Sequence, residues 1–243
     1  MTGATLAPPP DLETSSDRYA LRFSGPAGAY LLDVQSRGLS HLIERDSRGL
    51  ASALDVGGGH GQLVETLLRH GLQTTVVGSG WDCAERLKRN PQADRVTYEA
   101  GDLLALPYGD RSFDLITSIR LLAHISDPDR LIDEMCRTAG RSVIVDYPTW
   151  VGPNALALAT FPIKKLIEKD TRTYRTFWPG EIARAFERNG FRPAGTFKQF
   201  TAPMGLHRLA GKSVRIVEEG LRRTGVTALI GNPVLQRFDR ISA

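Results

Sequence analysis

Cysteine is nearly absent from this chain of 243 residues: Cys83 and Cys136 are the only two, far apart and in no C-x-x-C spacing. That excludes a disulfide framework and a cysteine-based zinc site, and points to a reducing cytoplasm. The five histidines (His41, His60, His70, His124 and His207) form no H-x-x-x-H pair, so no metal site is expected. There is no G-x-S-x-G nucleophile elbow and no G-x-x-x-x-G-K-[ST] phosphate loop. No apolar run approaches the roughly 20 residues that cross a bilayer. Residues 1–17 are rich in Pro, Thr and Ser, slightly acidic, and lack a basic start followed by an apolar stretch. They read as a disordered tail and not a signal peptide.

What remains is an ordinary globular composition, 41% hydrophobic and 24% charged, long enough to bury a sizeable core. The net charge of +4 conceals an asymmetry. Residues 1–149 hold 15 Lys and Arg against 20 Asp and Glu, whereas residues 150–243 hold 16 against 7. A basic C-terminal part suits an anionic substrate, an acidic membrane surface or nucleic acid, or is simply a solvated face.

The chain alternates strand and helix patterns from Ala51 onward. Strands are expected at 51–56, 73–78, 95–100, 112–118 and 142–147, with helices near 62–70, 81–88 and 127–138. Apolar strands separated by helices predict a parallel sheet with right-handed crossovers and a ligand at the strands' carboxyl ends. Upstream, residues 27–46 carry apolar side chains at helical spacing (Tyr30, Leu31, Val34, Leu39, Leu42, Ile43) and read as cap helices. The expected core is 50–148 within one domain, 18–243. Helical lid insertions are expected at 149–176 and 202–225, with a helix over 181–189 and strands over 191–201 and 234–241.

The most informative stretch is Leu54-Asp55-Val56-Gly57-Gly58-Gly59-His60-Gly61. An apolar strand with one acid runs into a glycine loop and then a helix, so the backbone can approach a ligand closely. Gln62 stands where dinucleotide enzymes want a third small residue. A glycine loop led by an acid suits a ligand with a cationic amino-acid end better than a pyrophosphate. A second stretch, Glu99-Ala100-Gly101-Asp102-Leu103, precedes Leu106-Pro107 and Ser112-Phe113-Asp114. A third, Thr117-Ser118-Ile119-Arg120, leads to His124.

In these motifs the chain resembles a class I S-adenosylmethionine-dependent methyltransferase of the small-molecule and quinone-type branch. The resemblance runs from about Leu50 to Tyr147 and more weakly through Phe191. It implies a Rossmann-like three-layer α/β sandwich with a mostly parallel seven-stranded sheet and helical lid insertions. It implies S-adenosyl-L-methionine as cofactor, with Asp55, Gly57, Gly58, Gly59 and Gly61 around its methionine end. Asp102 would accept from the adenine amino group, Leu103 would offer its N–H, and Gly101, Ser118 and Ile119 would line the site.

One position departs from the family. The acid that usually ends the second strand and grips the ribose hydroxyls aligns with Gly80, in Val77-Gly78-Ser79-Gly80-Trp81-Asp82. Such a charge-assisted contact contributes about 1.5–3 kcal/mol. Ser79, Asp82 or a water could replace it, and Trp81 could stack on adenine.

His124 stands where the family places histidines beside the methyl-transfer site, as a base or as a structural hydrogen-bonding residue. Substrate contacts are expected from Tyr30, Arg120, Tyr147, Arg172, Tyr174 and Arg175, which suit a small-molecule or lipid-like acceptor, an anionic one included. Lys164, Lys165 and Lys169 flank apolar residues, a spacing compatible with peripheral membrane contact. Two other readings stay open: a protein that binds the cofactor without transferring its methyl group, and a nucleic-acid-binding protein. The latter lacks any recognisable recognition module.

Overall fold

The computed structural model describes residues 11–12, 15–151, 175–178 and 180–241. Seven strands form one sheet: β1 (Ser52–Val56), β2 (Gln73–Gly78), β3 (Val96–Ala100), β4 (Phe113–Ser118), β5 (Ala139–Tyr147), β6 (Phe191–Phe200) and β7 (Asn232–Arg240). Their order is β3-β2-β1-β4-β5-β7-β6. The first five run parallel, and β7 lies antiparallel between β5 and β6.

Side chains on a strand alternate between faces, and here both faces are apolar. Leu54, Val56, Ile116, Val143 and Val145 share one core, while Ala53, Leu115 and Ile144 share another. A sheet apolar on both sides must be covered on both sides. On the first face lie α4 (Pro128–Thr138) and α5 (Glu181–Arg188), which contribute Leu131, Ile132, Met135, Ile182 and Phe186. On the second lie α2 (Gly25–Glu44) and α3 (Val64–Arg69), which contribute Leu39, Leu42, Ile43 and Leu67. The result is the three-layer α/β sandwich. Fully burying such a side chain contributes about 1.5–3 kcal/mol.

The short α1 (Asp17–Ala20) precedes α2, and α6 (Met204–Arg223) and α7 (Val226–Ile230) lie between β6 and β7. Helix α4 starts sharply because Asp127 accepts the Arg130 N–H at 3.0 Å, with Pro128 in the first turn. Buried Arg237 on β7 donates to the Leu42 and Ile43 carbonyls at the end of α2 and to Ser142 Oγ. It joins the two layers through groups that a helix end otherwise leaves unsatisfied.

Three expectations need correction. Residues 81–88 form two 3₁₀ turns, Trp81–Ala84 and Leu87–Arg89, in place of one α-helix. The first turn buries Cys83 and Ala84 and the second buries Leu87, which short tight turns achieve where one continuous helix was expected. Strand β5 begins at Ala139, directly after α4, and not at Ser142. Finally, the end of the stretch read as a disordered tail is ordered. Asp11 and Ser15 are buried, and Ser16 caps α1 by accepting the Tyr19 N–H. Most of the first expected insertion, 152–174, lies outside the described residues.

Candidate active site

The strand order reverses direction at β1, between β2 and β4, and the crevice beyond their carboxyl ends is where such sheets bind ligands. A recess there is lined by Tyr19, Asp55, Gly57, Gly58, His60, Gln62, Leu63, Ile119 and Arg120.

The glycine loop makes the recess. Gly57 takes a left-handed φ of 74° while its N–H donates to Val77 O at 2.8 Å. At Gly58 the constraint is proximity, because a Cβ there would lie 1.9 Å from Asp55 Oδ2. Asp55 itself is buried. Its Oδ1 accepts from Thr117 Oγ1 at 2.9 Å, and its Oδ2 is buried with no hydrogen-bond partner among the described residues. Burial pushes the carboxyl up to about 7 despite the Thr117 bond.

Arg120 leaves β4 with a left-handed φ of 63°, unusual outside glycine. Its N–H donates to Asp146 Oδ1 at 2.5 Å. Its guanidinium donates to the side-chain oxygens of Gln62 and Gln35 and lies 3.8 Å from the centre of the Phe23 ring. Desolvation lowers the pKa of this guanidinium. Among the described residues no carboxylate lies within ion-pair distance of it. The recess therefore holds a buried acid and a half-buried cation that are not paired with each other.

His60, absent from the expected site, closes the glycine loop. Both ring nitrogens are buried without hydrogen-bond partners among the described residues, and burial lowers its pKa to about 4. Its ring meets Tyr19 edge-on at 6.2 Å. Its place inside the loop was the available signal. Tyr19 and Gln35 gave none.

At the end of β2, the Ser79 N–H donates to Asp11 Oδ2 at 2.7 Å. Gly80 is extended, and a Cβ there would meet nothing within 4 Å. Trp81 is 63% exposed and tilts against Tyr98, whose hydroxyl donates to Gly80 O at 2.6 Å. At the end of β3, the Gly101 N–H donates to Gly78 O, Leu103 is buried, and exposed Asp102 accepts the Leu104 N–H at 2.8 Å. Ser118 Oγ ties β4 to β1 through Val56 O at 3.1 Å, and Ile119 lines the recess.

The expected substrate residues do not gather in one place. Arg120 lines the glycine-loop recess, half-buried against Phe23 and the two glutamines. Tyr30 lies under α6, where its hydroxyl donates to Glu219 at 3.1 Å and its ring meets His207. The Tyr147 hydroxyl donates to Gln236 on the neighbouring strand. Neither tyrosine lines the recess. Half-buried His124 follows β4, also outside the recess lining. The Arg175 N–H donates to the adjacent Ala123 O at 2.8 Å, while the Arg175 guanidinium pairs with Glu181. Arg172 and Tyr174 lie outside the described residues, as do Lys164, Lys165 and Lys169. No cluster of three or more His, Cys, Asp or Glu among the described residues could hold a metal.

A buried carboxylate oxygen without a hydrogen-bond partner among the described residues, a half-buried guanidinium near Asp146 and a backbone with no room for a Cβ line one recess. The sequence profile described as "Methyltransferase domain" matches residues 54–142. The chain is 30% identical over 166 residues to a demethylmenaquinone methyltransferase of Deinococcus radiodurans, covering 61% of this chain and 68% of that protein. It is 31% identical over 132 residues to norajmaline N-methyltransferase of Rauvolfia serpentina, covering 51% of this chain and 45% of that enzyme. The matched region spans about half the length of that and similar curated relatives. Magnesium protoporphyrin IX methyltransferase from Synechocystis PCC 6803, solved with bound SAH, shares the fold. Its TM-score is 0.64 at 16% identity, with 93% of this chain and 94% of that one covered. The chain belongs to the class I S-adenosylmethionine-dependent methyltransferases, and its cofactor is S-adenosylmethionine.

Proposed function

We propose that this protein transfers a methyl group from S-adenosylmethionine to a small-molecule or lipid-like acceptor. The observation that carries the reading is the presence of Asp55 and Arg120 in the lining of one recess. A buried carboxylate and a half-buried guanidinium, not joined to each other, complement the ammonium and carboxylate of an amino acid. In this reading Asp55 Oδ2 receives the ammonium, Arg120 holds the carboxylate, and Gly57 and Gly58 let the backbone approach both. Trp81 forms the platform for adenine, Asp102 accepts from its amino group, and Leu103 offers a backbone N–H.

Bound S-adenosylmethionine supplies an activated methyl electrophile, so no covalent intermediate on the protein is required. The chain's own work is alignment and exclusion of water, and positioning of this kind contributes about 7–11 kcal/mol. His124, beside the Ala123–Arg175 contact, is the candidate to take a proton from an acceptor hydroxyl or acidic carbon.

Calorimetry with S-adenosylhomocysteine and with 5′-methylthioadenosine, which lacks the amino-acid end, tests the assignment. Arg120→Met should weaken the first by at least about tenfold, the size of one lost charge-assisted bond, and leave the second nearly unchanged. Equal losses for both would remove Arg120 from the amino-acid end.

An acceptor drawn from a membrane surface has its own support. On α6, which is kinked at Gly211, Leu209 and Ile216 are 88% and 73% exposed. Lys212, Arg215 and Arg223 line a shallow groove with Ile216 and the acidic Glu219. Apolar residues bordered by cations suit an anionic lipid surface. No helix among the described residues is long and apolar enough to cross a membrane. Co-sedimentation with phosphatidylglycerol vesicles, lost in Leu209→Asp, is the expected result. Equal retention of wild type and variant would set the idea aside.

A further inference from the structure

Two of the chain's three tryptophans stand in contact beyond the carboxyl end of β5. The Trp150 and Trp178 rings lie 6.2 Å apart, tilted by 40°. Trp178 is 65% exposed and Trp150 half-buried, although tryptophan is on average a well-buried residue.

Their place follows from the path of the chain. Trp150 comes shortly after β5 ends at Tyr147. Strands β5 and β6 both run antiparallel to β7, so α5, which leads into β6, begins on the side where β5 ends. Trp178 lies just before that start. The two segments zip together, with the Phe177 N–H donating to Pro148 O at 3.0 Å and the Trp150 N–H to Phe177 O at 3.2 Å. On the other side the Arg175 N–H donates to Ala123 O at 2.8 Å. From Ala123 back to Arg120 in the recess lining the chain spans at most about 11 Å. The segment that carries Trp178 is thus fastened to the loop that holds both Arg120 and His124.

The base beneath the rings is fixed. Phe177 is buried and meets Tyr147 edge-on at 6.0 Å. The Trp178 N–H donates to Glu181 Oε2 at 3.1 Å, and the Glu181 N–H donates back to Trp178 O at 3.0 Å. The Arg175 guanidinium pairs with Glu181 and lies 5.1 Å from the centre of the Phe177 ring. That ion pair leaves no net charge of its own beside Trp178.

We propose that Trp150 and Trp178 form a stacking platform for the methyl acceptor, and that the acceptor presents a planar, uncharged aromatic ring. The inference rests on the methyl-transfer reading above and names the substrate class. Aromatic rings favour offset or tilted contacts with centres about 4.5–7 Å apart, so exposed indole surface takes a flat ring over a puckered one. A rigid aromatic side chain also loses little conformational entropy on contact.

The test is equilibrium binding of 2-naphthol, its saturated counterpart decahydro-2-naphthol, and tetramethylammonium to the full chain saturated with S-adenosylhomocysteine. Wild type should bind 2-naphthol about tenfold more tightly than the saturated alcohol. Trp150→Ala and Trp178→Ala should each lose about tenfold for 2-naphthol, while Trp178→Phe keeps most of it. Every variant should bind S-adenosylhomocysteine as wild type does. Equal binding of the two alcohols would make the pair an unselective apolar patch, and a preference for tetramethylammonium would make it a cation site. Either outcome overturns the proposal. So does 2-naphthol binding that the variants leave unchanged, or its absence in protein that holds S-adenosylhomocysteine. Wild type that fails to bind S-adenosylhomocysteine would instead overturn the methyl-transfer reading beneath it.

Discussion

Asp55 and Thr117 are register partners on adjacent parallel strands, and the threonine hydroxyl donates to one carboxylate oxygen at 2.9 Å. The bond fixes the side chain and leaves the second oxygen at the Gly58 backbone. One hydrogen bond does not offset full burial, so the carboxyl titrates near 7.

That value gives cofactor binding a pH dependence. An ammonium beside Asp55 favours the ionised form, so binding releases a proton wherever the free carboxyl holds one. Affinity for S-adenosylhomocysteine should rise between pH 5.5 and 7, by at most about tenfold per unit, and then level off. Calorimetry in buffers of different ionisation enthalpy reads the released proton. A flat profile, or the same slope in Asp55→Asn, would contradict the assignment.

The same group sets a trend in the stability of the ligand-free protein. The folded carboxyl titrates near 7 and the unfolded one near 3.8, so the folded chain holds the extra proton between them. Stability contributed by Asp55 therefore falls as pH rises through that window. His60, lowered to about 4, contributes the opposite slope between about 4 and 6.5. Urea titrations of wild type and Asp55→Asn between pH 4.5 and 7.5 isolate the first effect. The variant should gain stability relative to wild type as pH rises.

Gly58→Ala should abolish cofactor binding while leaving a folded protein. The new methyl would sit 1.9 Å from Asp55 Oδ2, forcing the carboxylate from its place against Thr117. Circular dichroism should show an intact sheet. Retained binding in a folded variant would mean that the loop does not frame the ligand.

Asp102→Ala should weaken S-adenosylhomocysteine by about tenfold, near 1.4 kcal/mol for a hydrogen bond to a charged group. Asp102 also accepts the Leu104 N–H, so turn and ligand effects must be separated. The inosine counterpart, which lacks the adenine amino group, should bind wild type and variant alike. A loss shared by both ligands would reduce Asp102 to a turn residue.

The core offers a control remote from chemistry. Phe186 and Phe238 stack at 3.9 Å, both fully buried. Phe186→Ala should cost about 3–5 kcal/mol of unfolding free energy with little change in cofactor affinity per folded molecule. A cost below 1 kcal/mol in denaturant titration would show that α5 is not packed as described.

The sheet was legible because its signal is local. Apolar strands such as Ser52–Val56 and Gln73–Gly78 announce themselves, and a glycine loop led by Asp55 marks the ligand end. The 3₁₀ turns at Trp81–Ala84 and Leu87–Arg89 were not, since their helix-forming residues say nothing of burial under that loop. Arg120 was legible as a strand-end cation, but its partners Gln35 and Gln62 lie 85 and 58 residues away along the chain. Asp11 was hidden more completely. A short acidic stretch among Pro, Ser and Thr looks solvated, and the carboxylate's partner at the Ser79 N–H lies 68 residues on.

Trp81 follows the end of β2 with its indole mostly in water. An aromatic base laid on that ring would dry it, shifting its emission to the blue or quenching it. Under the proposed adenine placement, the protein carries its own optical gauge of occupancy, readable without labels. Trp150 and Trp178, 6.2 Å apart, lie outside the recess lining. Comparing wild type with Trp81→Phe assigns the change to this one ring.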